Sequence, residues 1–305
     1  MSLIECVPNF SEGRRPEVVT AIVDAMRVSG VSIIDVSSDA DHNRTVVTLV
    51  GDIDPIAEAA YRAVKAAAAL IDMRQQSGVH PRIGAADVVP LIPLREVSLA
   101  ECVSTARKLG ARIGSELGLP VFLYDAAALR PDRVTLPQVR RDPYETLVGS
   151  VGADPTRTPD YGPSALGSAG AVAVGARGPL IAFNAYLDTD DLSVAQAVAR
   201  EIRESGGGLP RVRALGLLVD GAAQVSMNLT DFRVTGMLSA LDAVRQAAAA
   251  RGHRVERTEL VGLAPLSALV DAALSALQLP SAAADLILEA RIGQATGDYR
   301  PIPFE

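Results

Sequence analysis

Three histidines occur in the chain. One of them, His80, stands in "SGVHPRIGAADVVPLIP", Ser77 to Pro93, between a Gly-Val pair and a Pro-Arg pair. An imidazole titrates near neutrality and suits general acid–base work. Gly78, Pro81 and Gly84 constrain the backbone around it, and Arg82 adds a positive charge. A loop histidine that only hydrogen-bonds a backbone carbonyl is the competing reading of this stretch taken alone. No second histidine or cysteine lies at ligand spacing, so no metal is assigned.

The segment "DVSSDADHNRT" crowds Asp35, Asp39, Asp41, His42, Asn43 and Arg44 into a few positions between two strands. These residue types make an ordinary solvated turn. They also offer a carboxylate to orient His80 and raise its pKa. The spacing tempts a calcium reading, but the glycine and distal glutamate of an EF-hand loop are missing. In "QVSMNLTD", period two puts Val225, Met227 and Leu229 on one face and Gln224, Ser226, Asn228 and Thr230 on the other. That polar face has no Lys or Glu. Short amides and hydroxyls suit a pocket that reads the donors and acceptors of a heterocycle. Asn9 in "VPNF" and Asn184 in "AFNAYL" sit in the first strand of each half, and a ligand groove shared by the two sheets is expected.

Elements of two kinds must position these groups. Leu3–Val7 reads as a strand, "RRPEVVTAIVDAMRVSG" as a helix, and "VSIIDV" and "RTVVTLVG" as strands around the polar loop. An Ala-rich helix with Ile56, Ala60, Ala63, Ala67 and Leu70 on one face follows, then the strand "ADVVPLIPL". This order is β-α-β-β-α-β, the ferredoxin-like signature. A helix and the short strand "VFLY" come next. Arg130 to Gly178 is rich in Pro, Gly, Arg and Asp and reads as loop and linker. From "PLIAFNAYL" to "VERTELVGLAP" the β-α-β-β-α-β order recurs. The expected architecture is therefore α+β, two duplicated ferredoxin-like subdomains, residues 1–178 and 179–305, with one or two helices and an extended tail at the end.

Composition narrows the partners. A chain of 305 residues, about half of them hydrophobic, has a sizeable core, and its net charge of −7 with no basic run argues against nucleic acid. The two cysteines, Cys6 and Cys102, read as reduced, buried thiols. "MSLIECVPNFSEG" has no cationic region followed by an apolar run, and Asp271 and Asp285 break the most apolar stretch, so neither a secretory leader nor a membrane span is expected. The glycine-rich "PDYGPSALGSAGAVAVGARG" contains neither a phosphate loop nor a dinucleotide fingerprint, so a nucleotide cofactor is not expected. Such a segment still lets backbone approach a flat ligand closely.

Seven blocks in order, "ECVPNFSEG", "DHNRTVVT", "LIDM…GVHPRIGAADVVPLIP", "PDYGPSA", "GARGPLIAFNAYL", "QVSMNLTD" and "ELVGLAPLSAL", resemble the glutamate formimidoyltransferase (formiminotransferase) family. In animals this is the first part of a bifunctional formiminotransferase-cyclodeaminase. The resemblance runs from about Ile4 to about Ala273. It implies a cytoplasmic, usually dimeric enzyme that moves a formimidoyl group from N-formimidoyl-L-glutamate to the co-substrate tetrahydrofolate in histidine breakdown. It places the family's catalytic histidine on His80. It places the folate-binding segment on Gly162, Pro163, Ser164, Ala165, Leu166, Gly167, Ser168, Ala169 and Gly170. Both substrates are carboxylates, so Arg44, Arg82 or Arg177 is expected to meet them, with Asn9, Asn43, Asn184 and Asn228 as further binding candidates.

Three departures qualify the resemblance. The cyclodeaminase part is absent from the matched blocks. Ser37 stands where the animal-type enzymes carry an aspartate, which leaves Asp39 or Asp41 to support His80. The segment after Gly162 is one residue shorter and the chain has no Trp. Two other readings stay open at this level: related folate one-carbon chemistry (formyl transfer or cyclization of 5-formyltetrahydrofolate), and a non-catalytic folate-binding protein.

Overall fold

The structure is a computed structural model that describes residues 2–78, 81–297 and 299. The chain divides into two compact units, Met1–Pro179 and Leu180–Glu305.

In the first unit the strand at the N-terminus is interrupted at Val7 and Pro8, with its register kept, into β1 (Leu3–Cys6) and β2 (Asn9–Phe10). It lies between β4 (Arg44–Gly51) and β5 (Ala86–Arg95), antiparallel to both, and β3 (Val31–Asp39) pairs the far side of β4. Helices α1 (Pro16–Ala25) and α2 (Ile53–Leu70) make the two crossovers. Pro16 opens α1, where its missing N–H has no helical partner to lose. Alanines at 59, 60, 63 and 67 let α2 sit close to the sheet, with Ile56 and Val64 filling the gaps. This is the expected ferredoxin-like arrangement.

Two strands extend it. β7 (Val172–Ala176) runs parallel to β5, and β6 (Val121–Asp125) runs parallel to β7. Helix α3 (Leu99–Arg112) connects them to the rest and starts at a capping box, in which Ser98 and Glu101 satisfy each other's backbone N–H groups. β5 is covered on both sides for most of its length, which is why "ADVVPLI" is a continuous apolar run rather than an alternating one. One carboxylate, Asp87, sits inside that run.

The stretch from Arg130 to Gly178 is not a linker. It contains β7 and the short helices α4 (Leu136–Val139) and α5 (Tyr144–Ser150). Val139, Leu147 and Val151 pack with Phe122 and Tyr124 of β6, Val88 of β5 and Ala173 of β7 in a separate apolar cluster. Two of the arginines that make the segment look like loop are buried here. Arg133 pairs with Asp160 at 2.8 Å and lies over the Phe122 ring, and Arg157 pairs with Asp142 at 2.9 Å. The polar loop between β3 and β4 is also shorter than its composition suggests, because β3 continues through Ser37 and Ser38 to Asp39.

The second unit is a four-stranded sheet in the order β11 (Val255–Val261), β8 (Ile181–Leu187), β10 (Ala222–Leu229), β9 (Val212–Val219), all antiparallel. Helices α6 (Leu192–Ile202) and α7 (Met237–Ala249) are its crossovers. α8 (Leu266–Ala276) and α9 (Leu288–Thr296) follow the last strand. Val225, Met227 and Leu229 of β10 are buried in this unit's core, as the alternation requires. Among the described residues, no helix is long and apolar enough to cross a membrane. Cys6 and Cys102 are buried free thiols, both pushed up in pKa, mainly by burial, Cys102 to about 11.

Candidate active site

His80 lies outside the described residues, so the site is built from what flanks it. The loop from Asp72 to Gly84 is anchored on both sides of that position. On the near side, the Asn43 side chain in the β3–β4 turn donates to the Ser77 carbonyl at 3.1 Å and to the Gln76 side chain, and accepts from the Gly13 N–H at 2.9 Å. Gly78 packs on the His42 carbonyl so closely that a Cβ there would stand 2.4 Å from the oxygen. On the far side, Arg82 donates to the Gln76 carbonyl and pairs with Glu145 at 2.8 Å. The Arg82 carbonyl accepts from the Tyr144 N–H at 2.8 Å.

Glu12 is buried beneath this loop. It accepts from the Arg14 and Arg15 N–H groups at 2.9 Å each, from Arg15 Nε at 2.6 Å and from the Gln76 amide at 3.2 Å. Burial raises its pKa, but those hydrogen bonds prevail and hold the carboxyl below the usual carboxylate range.

A buried charge cluster lies on the sheet beside the loop. Arg44 Nη1 meets Asp87 Oδ2 at 3.0 Å. Arg44 also presents Nε and Nη2 to Asn9 Oδ1 at 3.0 and 2.6 Å, and Asn9 in turn donates to the Val7 carbonyl at 2.8 Å. The other Asp87 oxygen accepts the Ile83 N–H at 2.9 Å, which fixes the chain just after the His80 loop. Arg140, capping α4, closes on the same Asp87 oxygen as Arg44. Asp87 is 0% exposed, whereas the side chains of Arg44 and Arg140 keep 13% and 10% of their surface open. Burial, and then repulsion from Arg140, lowers the Arg44 pKa to about 10.

The segment Gly162–Gly170 runs along the same loop. Gly162 at φ +82° and Gly170 at φ +70° take left-handed conformations. Gly170 bridges Gly84, where a Cβ would come within 2.0 Å of the Ala171 carbonyl. The Ser168 carbonyl accepts the Met73 N–H at 2.7 Å, and the Ala169 carbonyl the Ala85 N–H at 2.8 Å. Between these ties Gly162, Pro163, Ser164, Ala165 and Gly167 are exposed and Leu166 half-buried.

Of the residues singled out in the sequence, Asn9, Arg44, Asn43, Arg82 and the glycine-rich segment are thus gathered around one loop. Asp39 and Asp41 are exposed at the β3–β4 turn, where Asp39 accepts the His42 N–H at 2.7 Å. Arg177, at the end of β7, interacts with Glu5 and Tyr124 and donates to the Gly178 carbonyl at 2.9 Å. In the second unit, register places Asn184 directly opposite Ser226, with Asn228 two positions along on the same face. Asn184 donates to Glu259 at 3.2 Å, as does the Tyr186 hydroxyl at 3.0 Å, while Arg257 stacks on the Tyr186 ring.

Sequence reasoning missed Glu12, Gln76, Asp87 and Arg140. Asp87 left a signal, a lone carboxylate in an apolar strand. Arg140 left none, because its neighbours read as solvated loop. Among the described residues no group of three or more His, Cys, Asp and Glu side chains is placed to hold a metal ion.

Fold and site define a duplicated ferredoxin-like α+β protein whose first unit holds an Arg–Asp–Arg cluster beside a glycine-tethered loop. The chain belongs to the formiminotransferase domain family: its N-terminal subdomain matches residues 3–177 and the following formiminotransferase domain matches residues 182–282. A glutamate formimidoyltransferase of Thermoplasma acidophilum is 44% identical over 300 residues, covering 97% of this chain and 99% of its own. One of Streptococcus pyogenes is 42% identical over 281 residues, covering 91% and 94%. The formimidoyltransferase-cyclodeaminase of Rattus norvegicus is 43% identical over 281 residues, and that alignment takes in 89% of this chain but 52% of the rat protein.

Proposed function

We propose that this chain is a glutamate formimidoyltransferase, transferring the formimidoyl group of N-formimidoyl-L-glutamate to tetrahydrofolate. The observation that carries the reading is end-to-end similarity, 97% of the chain and 99% of the relative, to a protein of that name. The loop and charge cluster of the first unit suit the chemistry.

A tetrahydrofolate amine nitrogen attacks the amidine carbon, and the tetrahedral intermediate expels the amine of glutamate. The C–N bond to folate forms and the C–N bond to glutamate breaks. One proton leaves the attacking nitrogen and one reaches the departing nitrogen. A single imidazole, assigned to His80, carries it, a role worth about 10²–10⁴ in rate. Asp39 or Asp41 supplies its supporting carboxylate. Their turn is bonded to the loop through Asn43 and Ser77, three positions before His80. Holding two substrates together contributes much of the remaining acceleration.

Gly162–Gly170 is assigned to folate, which its exposed, backbone-rich middle suits. Asn9, Asn43, Arg44, Arg82 and Arg177 of residues 1–178, and Asn184 and Asn228 of residues 179–305, are assigned to substrate binding. These two spans correspond to N- and C-terminal formiminotransferase subdomains. A cytoplasmic homodimer completes the reading, on the family resemblance.

Turnover of purified protein with both substrates, following 5-formimidoyltetrahydrofolate by mass, tests it. Wild type is expected to turn over and His80→Ala to lose activity by about 10² or more. Folate binding without wild-type turnover would reject the reaction, and full activity in the variant would reject His80 as the acid–base group.

A further inference from the structure

One face of the second unit's sheet carries polar groups that the fold leaves unused. Val225, Met227 and Leu229 point into the core, so the alternation turns Gln224, Ser226 and Asn228 to the opposite face. Register sets Asn184 between Ser226 and Glu259, and sets Gln224 beside Tyr186. Gln224 is 2% exposed, yet its amide has no hydrogen-bond partner among the described residues, and neither do the side chains of Ser226 and Asn228. A buried amide left unpaired is costly and rare.

Glu259 is oriented on the same face. Its Oε2 accepts from the Asn184 amide at 3.2 Å and from the Tyr186 hydroxyl at 3.0 Å. Both donors are buried, and Arg257 stacks on the Tyr186 ring, 3.4 Å from its centroid. Burial, and then the bond to Glu259, raises the Tyr186 pKa, so the phenol stays a donor. The other oxygen, Oε1, has no partner among the described residues and keeps its capacity to accept.

The face thus presents an aimed, negatively charged acceptor beside amides that can both donate and accept. It repels an anion, so the glutamate carboxylates of the two substrates do not suit it. A planar heterocycle with adjacent N–H donors next to a carbonyl does. The pterin ring of tetrahydrofolate has that edge: its 2-amino group and N3–H donate, and its 4-oxo group accepts. The formimidoyl group also has N–H donors, but Glu259 and Gln224 stand on strands about 10 Å apart, with β8 between them. A fused bicyclic ring spans that gap, and an amidine does not.

We propose that Glu259 is a specificity-determining residue for the pterin ring of tetrahydrofolate, Oε1 accepting from the 2-amino–N3–H edge, with the Gln224 amide as a second contact. The choice of ligand rests on the transfer reaction proposed above.

Calorimetric titration needs no turnover. The probes are 5-formyltetrahydrofolate, its 2-desamino-2-methyl analogue, which lacks the exocyclic amine, and N-formimidoyl-L-glutamate. Glu259→Gln is expected to weaken 5-formyltetrahydrofolate by about 10- to 100-fold, the worth of a hydrogen bond to a charged group. It leaves the analogue and the formimidoyl donor within about twofold of wild type, because neither uses that bond. Gln224→Met keeps the side chain's size and removes an amide that has no protein partner. Its thermal midpoint is expected to stay level or rise, while 5-formyltetrahydrofolate binding falls by about 3- to 10-fold. If Glu259→Gln does not fold, the same comparison is read from Glu259→Asp, which keeps the charge but draws it back from the ring.

Glu259→Gln binding 5-formyltetrahydrofolate within about twofold of wild type would overturn the subsite and leave the transfer reaction standing. A loss as large for the analogue as for the parent, or one confined to N-formimidoyl-L-glutamate, would overturn it as well. A wild type that binds 5-formyltetrahydrofolate in a Glu259-dependent way yet does not turn over would reject the reaction and support the subsite. A wild type that neither turns over nor binds it would reject both.

Discussion

The guanidinium of Arg44 on β4 reaches past β2 to the carboxylate of Asp87 on β5, Nη1 to Oδ2 at 3.0 Å, and bonds Asn9 of β2 on the way. This contact ties three neighbouring strands through their side chains as well as their backbones. It also brings a cation to the residues that follow the His80 loop, because the same carboxylate holds the Ile83 N–H.

Asp87→Asn removes the negative charge and keeps the shape. Two buried guanidiniums then face each other without it, and breaking a buried ion pair from one side costs about 3–5 kcal/mol. A loss of that size in unfolding free energy, read in urea as a lower midpoint at unchanged slope, is expected. An unchanged midpoint would show that the arginines turn outward and need no carboxylate to stay folded.

The glycine-rich segment separates structural from ligand-facing positions. Gly162→Ala places a methyl 2.1 Å from the Leu119 carbonyl at a positive φ, and a loss of about 1–3 kcal/mol or more follows from the clash and the strain. Gly167→Ala meets nothing within 4 Å and leaves stability within about 0.5 kcal/mol. If the segment binds folate, Gly167→Ala weakens 5-formyltetrahydrofolate binding in titration while thermal unfolding stays put. Equal destabilisation by both variants would contradict the local geometry.

Glu12 makes stability depend on pH in one direction. Its folded-state pKa lies below its unfolded value, so its contribution is fully present above the unfolded pKa and is lost as pH falls through the folded one. Glu12→Gln is therefore less stable than wild type at neutral pH, by about 1–3 kcal/mol for the buried donors it leaves weakly paired. The gap narrows as pH drops below about 4. Chemical denaturation at both pH values checks this, and a gap that widens in acid would sink it.

Asn184 tests the second unit. Its amide is mostly buried and bonds Glu259. Asn184→Ala costs about 1 kcal/mol of stability. As a folate contact it also raises the KM for tetrahydrofolate severalfold with little change in the KM for the donor. Equal KM values in wild type and variant would make Asn184 a purely structural partner of Glu259.

Much of this arrangement was legible along the chain. The period-two run "QVSMNLTD" gave the correct faces of β10, and the helix stripes gave the correct order β-α-β-β-α-β in each half. Asn9 was singled out as an amide in the first strand of its half, and Arg44 as a cation suited to carboxylate substrates. The stretch from Arg130 to Gly178 misled because its composition is that of solvated loop. Arg133 and Arg157 are buried there by Asp160 and Asp142, acids that lie well away from them in sequence. The aspartates that drew attention, Asp39 and Asp41, are exposed turn residues, and the sealed carboxylate is Asp87.

The sequence by itself determined the elements of the two β-α-β-β-α-β runs, their order and the family. Periodicity, caps and collinear blocks are local properties, readable without knowing what packs on what. Only the tertiary structure decided which charges are buried and with whom. Residues 44, 87 and 140 are far apart in the chain, and the free energy of burying any one of them is set by the other two. A charged residue in a strand or a loop reads the same in sequence whether water or a partner surrounds it. Folding β4 and β5 around β2, and bringing the end of α4 to Asp87, is what turns three separate residues into one site.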